Sequence, residues 1–333
     1  VKVSIVGAGS FGTAMAVLAA RCGNEVMLWA HDATVAEGIR KTRRNPTYLA
    51  NAELDEEVWP TNDIAEAAEF SDTIFMVVPS HYYRDVLKSL GKRLSKPVRV
   101  ISATKGIENK SLQRMSQVTE AVLGPKLASF AALSGPTFAA EVVRGDPTAA
   151  VIASHDLDFA QELQKVFSSA TFRLYHSSDV TGVELAGSLK NVIAIAAGVL
   201  EGLGLGSNTN AALVTRGLHE ITRLGMALGG RLETFAGLAG MGDLVLTCTG
   251  ALSRNRSVGV ALGKGKRLKD ILDETKFVAE GVKTSRSAKE LAASHGIEMP
   301  ITNEMYRVLY EDEPPRNAIQ RLMTRSLKAE SAF

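Results

Sequence analysis

One lysine stands in the middle of the most apolar stretch of this 333-residue chain, residues 179–203 (DVTGVELAGSLKNVIAIAAGVLEGL). After Asp179, the only strongly polar residues there are Glu184, Lys190, Asn191 and Glu201. A helix that is apolar nearly all round is a buried helix. Lysine is almost never fully buried unless it is paired or has chemical work to do. Lys190 is therefore a paired core charge, a side chain snorkelling to solvent, or a proton-transfer group whose pKa burial draws down.

Other residue groups suggest what it could serve. GAGSFG, residues 7–12, follows a β-branched run and opens an Ala-rich helical pattern. In such a loop Gly7 permits the tight turn, Gly9 lets the backbone approach a pyrophosphate, and Gly12 lets helix and strand come close. The helix start supplies N–H groups and a positive dipole end for phosphates. The residue after the second strand selects the nucleotide: an acid holds the ribose 2′-OH, and a base favours a 2′-phosphate. Ala30-His31-Asp32 points both ways, and His31 with Arg40, Arg43 and Arg44 tips the reading towards NADP, with NAD open.

Lys105, in Thr104-Lys105-Gly106, ends a strand at the carboxyl edge where open α/β sheets bind ligands. It is either a contact for an anionic substrate or the nicotinamide end, or an ordinary loop lysine. Ser134-Gly135-Pro136-Thr137 ends the next strand, with Thr137 placed as a helix N-cap. Gly240-Met241-Gly242-Asp243-Leu244, followed by Thr247, sets an acid in a glycine turn. Asp243 is either an N-cap or the partner of a cationic catalytic group. Ser253-Arg254-Asn255-Arg256 combines a capping serine, a helix start and an arginine able to grip a phosphate twice. The alternative there is a capped surface helix. Phe277-Val278-Ala279-Glu280-Gly281 is a further turn into a helix. Cys248 lacks an activating neighbour in sequence and reads as a packing residue. The six histidines show no metal spacing, so no metal is expected.

These groups need elements to hold them. Apolar runs at Lys2–Val6, Glu25–Trp29, 73–78, 98–104, 130–133, 148–153 and 171–175 alternate with helical patterns and predict a parallel sheet covered on both faces. Residues 40–51 (RKTRRNPTYLAN) read as loop plus short helix. Beyond residue 179 the strand signals stop and helices follow, broken by glycines and Pro300. An α/β dinucleotide-binding domain over 1–178 and an all-helical substrate domain over 179–333, entered through helix 179–203, are expected. Net charge is +2, from 38 basic and 36 acidic residues, which gives nucleic acid or a membrane surface no global attraction. The charged residues inside 179–203 argue against membrane insertion. Two cysteines without CxxC spacing suggest neither a disulfide framework nor zinc. No basic n-region or cleavage pattern precedes the first strand, so a cytoplasmic protein is expected.

Together the motifs GAGSFGTA, NPTYL, ATKGIE, LSGPTFAAE, ELAGSLKNVIAIAAG, GLAGMGDLVLTC, SRNR and VAEGV, in this order from residue 5 to about 282, resemble the bacterial-type NAD(P)-dependent glycerol-3-phosphate dehydrogenases. The resemblance implies a Rossmann-type domain followed by an all-α C-terminal domain. It implies interconversion of dihydroxyacetone phosphate and glycerol 3-phosphate, supplying phospholipid synthesis. By matched motif it makes Lys190 the proton acceptor, with Asn191, Asp243 and Thr247 beside it. Lys105, Gly135, Thr137, Ser253, Arg254 and Asn255 would hold substrate. Gly7, Gly9, Ser10, Phe11, Gly12, His31, Tyr48, Lys105, Ala139, Arg254, Val278 and Glu280 would hold the cofactor. Phe11 and Thr137 depart from commoner family residues, yet keep an aromatic ring and a hydroxyl. A homodimer acting on a small phosphorylated substrate is expected. A β-hydroxyacid or phosphogluconate-type dehydrogenase has a similar plan, but there an asparagine follows the lysine one helical turn later, whereas here Lys190 and Asn191 are adjacent. A UDP-sugar dehydrogenase would want a cysteine where Asp243 stands, and a non-catalytic dinucleotide sensor would not need Lys190 or Asp243.

Overall fold

The structure, a computed structural model, describes residues 1–274, 278–327 and 329–330. The chain divides into two compact units, one of Val1–Thr104 with Gln113–Val180, the other of Lys105–Leu112 with Thr181–Phe333. The short segment carrying Lys105 thus groups with the second unit, a departure from a simple cut at residue 178.

The first unit is built on ten strands: β1 (Lys2–Val6), β2 (Glu25–Trp29), β3 (Arg44–Asn45), β4 (Leu49–Glu53), β5 (Val58–Thr61), β6 (Thr73–Met76), β7 (Val98–Ser102), β8 (Leu127–Ser134), β9 (Thr148–Ser154) and β10 (Phe172–Ser177). Eight form one sheet in the order β10-β9-β8-β7-β6-β1-β2-β5, and β3 and β4 pair as a separate antiparallel ribbon. Successive residues of a strand serve opposite faces. Val3, Ile5, Phe75 and Ile101 join one apolar cluster, while Val6, Ile74, Met76, Val98 and Val100 join another. Both faces are therefore covered, as the unbroken apolar runs predict.

Two features differ from the expected parallel sheet with a loop at 40–51. First, β8 and β9 pair antiparallel. Gly135, at φ +143°, follows β8 so close to the next strand that a Cβ would stand 2.8 Å from the Ala150 Cα. Second, the polar passage contributes the end of helix Ala33–Thr42 and then the β3–β4 ribbon, before β5 joins the main sheet. Arg43 makes this corner in a left-handed conformation, φ 55°. Its guanidinium donates to the carbonyls of Leu54, Asp55 and Val58. Strands this short carry too little alternation to read in sequence, and Pro60 suits β5 only because it is an edge strand.

Among the described residues beyond 180, every regular element is a helix. Its centre is helix Val180–Gly202, whose apolar window is long enough to cross a membrane but is entirely buried inside the protein. It is a core helix. Around it run Ser207–Ala227, Leu232–Ala236, Asp243–Thr249, Arg254–Gly263, Leu268–Glu274, Glu280–Ser294, Pro300–Tyr310 and Pro315–Met323. Pro300 opens a helix at its first position, where no N–H is missed, rather than breaking one. Helix Arg254–Gly263 lies directly on the central helix. A Cβ at Gly198 would stand 2.0 Å from Arg256 O, and one at Gly259 2.0 Å from Ile195 O. Only glycine at those two points lets the backbones touch, and this contact sets where the SRNR turn stands relative to Lys190.

Candidate active site

In the first unit the chain leaves β1 through Gly7 and enters helix Ser10–Arg21 at Gly9. Gly7 has φ +121°, and a Cβ there would stand 2.6 Å from Val77 O; one on Gly12 would stand 1.8 Å from Gly7 O. Gly9 differs, since a Cβ there would meet no atom within 4 Å. It caps the helix without a side-chain bond, and the first turn holds no acid. The opening N–H groups and the positive dipole end thus face open space, which is what a pyrophosphate needs. In the sheet β1 stands between β2 and β6, where strand order reverses and α/β sheets bind nucleotides. The residues present fit a dinucleotide.

Several expected cofactor residues gather at this loop. Ser10 Oγ donates to Tyr48 O at 3.0 Å. Phe11 and Ala139 pack against the same apolar cluster, Ala139 opening a helix beside the first one. Buried Asn45, from NPTYL, was not singled out by its residue type, yet it ties this segment to the loop. Its Nδ2 donates to Ala8 O (2.9 Å) and Thr13 Oγ1 (2.8 Å), and its Oδ1 accepts from Tyr48 N.

At the end of β2, Asp32 caps helix Ala33–Thr42, accepting from the Thr34 hydroxyl and N–H. Those two bonds, with His31 adding a smaller attraction, hold its carboxyl below the usual range. His31 is exposed, edge-on to Trp29. Of the neighbouring arginines, Arg40 pairs with Glu37, Arg44 with Glu53, and Arg43 is spent on carbonyls. Thr137 is not the N-cap: Phe138 holds that position, and Thr137 Oγ1 donates to Gly135 O at 3.1 Å. Thr137 stands one residue before the cap, with its hydroxyl turned back to Gly135 rather than forward to the helix N–H groups.

The second unit brings the acid–base residues together. A π-helical turn, Leu238–Gly242, runs without a break into helix Asp243–Thr249, in place of the expected glycine turn. Asp243 is that helix's first residue, and Gly242 holds the N-cap position. Instead Oδ1 meets Lys190 Nζ at 2.9 Å and Oδ2 meets Lys105 Nζ at 2.7 Å. Lys190 Nζ also donates to Thr247 Oγ1 at 2.6 Å, and that hydroxyl donates to Asp243 O at 2.6 Å. Lys190 and Asp243 are almost wholly buried, whereas the Lys105 side chain is partly exposed, at 19%.

Burial pulls the Lys190 pKa down to about 8, with Lys105 pushing the same way and Asp243 opposing. Burial alone would raise the Asp243 carboxyl, but the two ammonium groups outweigh it and hold it below the usual range. Cys248, next to Thr247, is pushed up to about 12 by burial and is an inert thiol. Ser253 caps helix Arg254–Gly263 by accepting from Arg256 N, and Arg254 is exposed in the first turn. Asn255 reaches Asn191 through a 3.0 Å hydrogen bond. Val278 and Glu280 stand at the start of helix Glu280–Ser294, while Phe277 lies outside the described residues.

Lys105, Lys190, Asn191, Asp243, Thr247 and Asn255 thus form one hydrogen-bonded cluster, with Ser253 and Arg254 on the helix that carries Asn255. Gly135, Thr137, His31, Tyr48 and the glycine loop belong to the other unit. Among the described residues no group of His, Cys, Asp and Glu has metal-binding geometry.

Two family models match successive parts of the chain. Residues 2–160 match the family model described as NAD-dependent glycerol-3-phosphate dehydrogenase N-terminus, and residues 179–320 match its C-terminus counterpart. A glycerol-3-phosphate dehydrogenase [NAD(P)+] of Geobacter sulfurreducens is 53% identical over 330 residues, spanning 99% of this chain and 98% of its own. One from Nitratidesulfovibrio vulgaris is 50% identical over 329 residues, 99% and 100% of the two chains. The crystal structure of glycerol-3-phosphate dehydrogenase from Coxiella burnetii superposes with a TM-score of 0.94 at 39% identity, covering 97% of this chain and 99% of that one.

Proposed function

The chain belongs to the NAD-dependent glycerol-3-phosphate dehydrogenase family, and we propose that Lys190 is the group that moves the proton in its reaction. The reaction interconverts dihydroxyacetone phosphate and glycerol 3-phosphate. A bound nicotinamide dinucleotide supplies or accepts the hydride. The carbonyl oxygen then needs a proton as it becomes an alkoxide, and the hydroxyl must lose one in reverse. The observation that carries the assignment is the pairing of buried Lys190 with Asp243 and Thr247.

Those two contacts use two of the three hydrogens of the ammonium. The third is left for a substrate oxygen. Asp243 orients the ammonium and keeps its charge tolerable inside the protein, while burial and Lys105 keep the proton loose enough to leave near neutral pH. Arg254, at a helix start behind the Ser253 cap, grips the phosphate. Binding energy at that remote group positions the reacting carbon.

NADPH is preferred over NADH by His31, assisted by Arg40, whose exposed pair with Glu37 is weak enough to give way to a phosphate. The preference is modest, because Arg43 and Arg44 are engaged and Asp32 is held ionised. The free thiols Cys22 and Cys248 suit a reducing cytoplasm. Exposed Met241, Val245 and Leu252 suit a homodimer. The product feeds phospholipid synthesis.

The test is oxidation of NADPH and NADH by the purified protein, followed by nicotinamide absorbance. Consumption with dihydroxyacetone phosphate and none with dihydroxyacetone supports the reading. Equal consumption with both, or none with either, contradicts it.

A further inference from the structure

Asn191, Asn255 and Gly281 form a line of hydrogen bonds through the interior of the second unit. Asn191 Nδ2 donates to Lys105 O at 3.3 Å, Asn255 Nδ2 donates to Asn191 Oδ1 at 3.0 Å, and Gly281 N–H donates to Asn255 Oδ1 at 2.9 Å. A carbonyl stands at one end and an N–H at the other. The orientation of both carboxamides is therefore dictated from outside, each oxygen accepting and each nitrogen donating in one direction. Both side chains are buried. Removing the middle member would leave buried donors and acceptors unpaired, which is costly. Gly281 sits hard against the line: a Cβ would stand 2.5 Å from Asn191 O and 2.9 Å from Asn255 Oδ1.

The line joins four separate stretches of chain. Asn191 follows Lys190 on the central helix, Asn255 follows Arg254, Gly281 follows Glu280, and Lys105 belongs to the short segment that groups with this unit. Lys105 is held twice, its carbonyl by Asn191 and its Nζ by Asp243 Oδ2, the carboxylate whose other oxygen holds Lys190.

We propose that this amide line is a positioning device that couples the seating of the Val278–Glu280 turn, through Asn255 and Asn191, to the placement of Lys105 beside the proton-transfer group. Gly281, Asn255 and Asn191 act as positioning residues in this respect. The proposal rests on the reading of Lys190 as the group that moves the proton.

Its consequence has a sign. The charged and titratable groups bearing on Lys190 are Asp243 and Cys248, from one helix, and Lys105, with the neutral Thr247 hydroxyl completing the surroundings. Burial and Lys105 favour the neutral amine, whereas Asp243 favours the ammonium. Letting Lys105 drift removes one lowering influence and leaves more of the Asp243 carboxylate to Lys190. The proton is then held more tightly. In the reducing direction the limb on which turnover falls with rising pH moves upward.

The experiment compares pH profiles of kcat for dihydroxyacetone phosphate reduction in wild type, Gly281→Ala and Lys105→Gln. Alanine at 281 adds no charge and suits a helix, so a shift reports geometry rather than a new field. The limb should rise by about one pH unit in Gly281→Ala, in the same direction as in Lys105→Gln. The KM for the nucleotide should rise with it, as the Val278–Glu280 turn is displaced. A folded Gly281→Ala with the wild-type limb, beside a shifted Lys105→Gln, overturns the proposal while leaving Lys190 in its role. A wild-type profile without the limb removes the Lys190 assignment and the proposal with it. A measurement on unmodified protein covers the case of a variant that does not fold. With nitrogen-labelled asparagine, the side-chain amide protons of Asn191 and Asn255 should exchange far more slowly than those of exposed asparagines. Solvent-like exchange overturns the line as a fixed structure.

Discussion

Lys190 Nζ lies 2.9 Å from Asp243 Oδ1 in the interior of the helical unit, and the same carboxylate holds Lys105 at 2.7 Å through its other oxygen. One acid between two lysines leaves the group with a net positive charge. The acid therefore stays ionised and the more deeply buried lysine releases its proton readily. That inequality is what acid–base work near neutral pH requires.

The first prediction concerns pH. With Lys190 at about 8 in the ligand-free protein, reduction of dihydroxyacetone phosphate uses the ammonium, so kcat/KM should fall as pH rises through that value. Oxidation of glycerol 3-phosphate uses the neutral amine, so its kcat/KM should rise over the same interval. Profiles in both directions check this, and limbs of the same sense would contradict it.

Gly9 and Gly12 should fail in different ways. A Cβ at Gly9 meets no protein atom but enters the space over the helix start. Gly9→Ala should keep its melting temperature and raise KM for both nucleotides by roughly tenfold or more, that is, by at least about 1.4 kcal/mol. A Cβ at Gly12 would collide with Gly7 O, so Gly12→Ala should lose about 3 kcal/mol of stability or more. Thermal unfolding beside nucleotide titration separates the two.

Arg254→Ala should weaken use of the phosphorylated substrate. Loss of a charge-assisted contact predicts a fall of about ten- to a hundredfold in kcat/KM for dihydroxyacetone phosphate. Steady-state kinetics on dihydroxyacetone phosphate check this, and an unchanged kcat/KM in a folded Arg254→Ala would contradict the phosphate role.

Glu220 gives a prediction away from the site. It is buried and accepts from the N–H groups of Ile301 and Thr302 at the start of helix Pro300–Tyr310, as well as from the Thr302 hydroxyl. Burial raises its pKa to about 7 against those bonds. The folded protein thus binds this proton more tightly than the unfolded chain. The stability it contributes is fully present below the ordinary glutamate value and is lost as pH rises through about 7. The total is roughly 3 kcal/mol. Glu220→Gln should flatten that part of the stability–pH curve, as denaturant titration across the interval will show.

The sequence made the glycine loop, the central helix and the helical second half legible, because each rests on local pattern. Lys190 stood out because a lysine in an apolar helix is anomalous. Its partner did not: Asp243 allowed two readings until the π-helical turn placed it as an ion-pair acceptor rather than a cap. Asn45 and Gly281 stand within the motifs NPTYL and VAEGV, but their roles are not legible there because they depend on contacts distant in sequence, with Ala8 for one and Asn191 for the other. The β3–β4 ribbon and the reversal at Gly135 were illegible for a similar reason. Two-residue pairing and a backbone approach to Ala150 leave no periodic trace. Thr137 misled because a threonine before a helical run resembles a cap, and the chain places Phe138 there instead.

The most direct measurement is turnover by Lys190→Ala, with nucleotide affinity determined on the same sample. If Lys190 moves the proton, kcat for dihydroxyacetone phosphate should fall by about a hundred- to ten-thousandfold. NADH and NADPH affinity should stay within about threefold, since the cradle at Gly9 belongs to the other unit. Near-normal turnover in a folded Lys190→Ala protein would contradict the account at its centre.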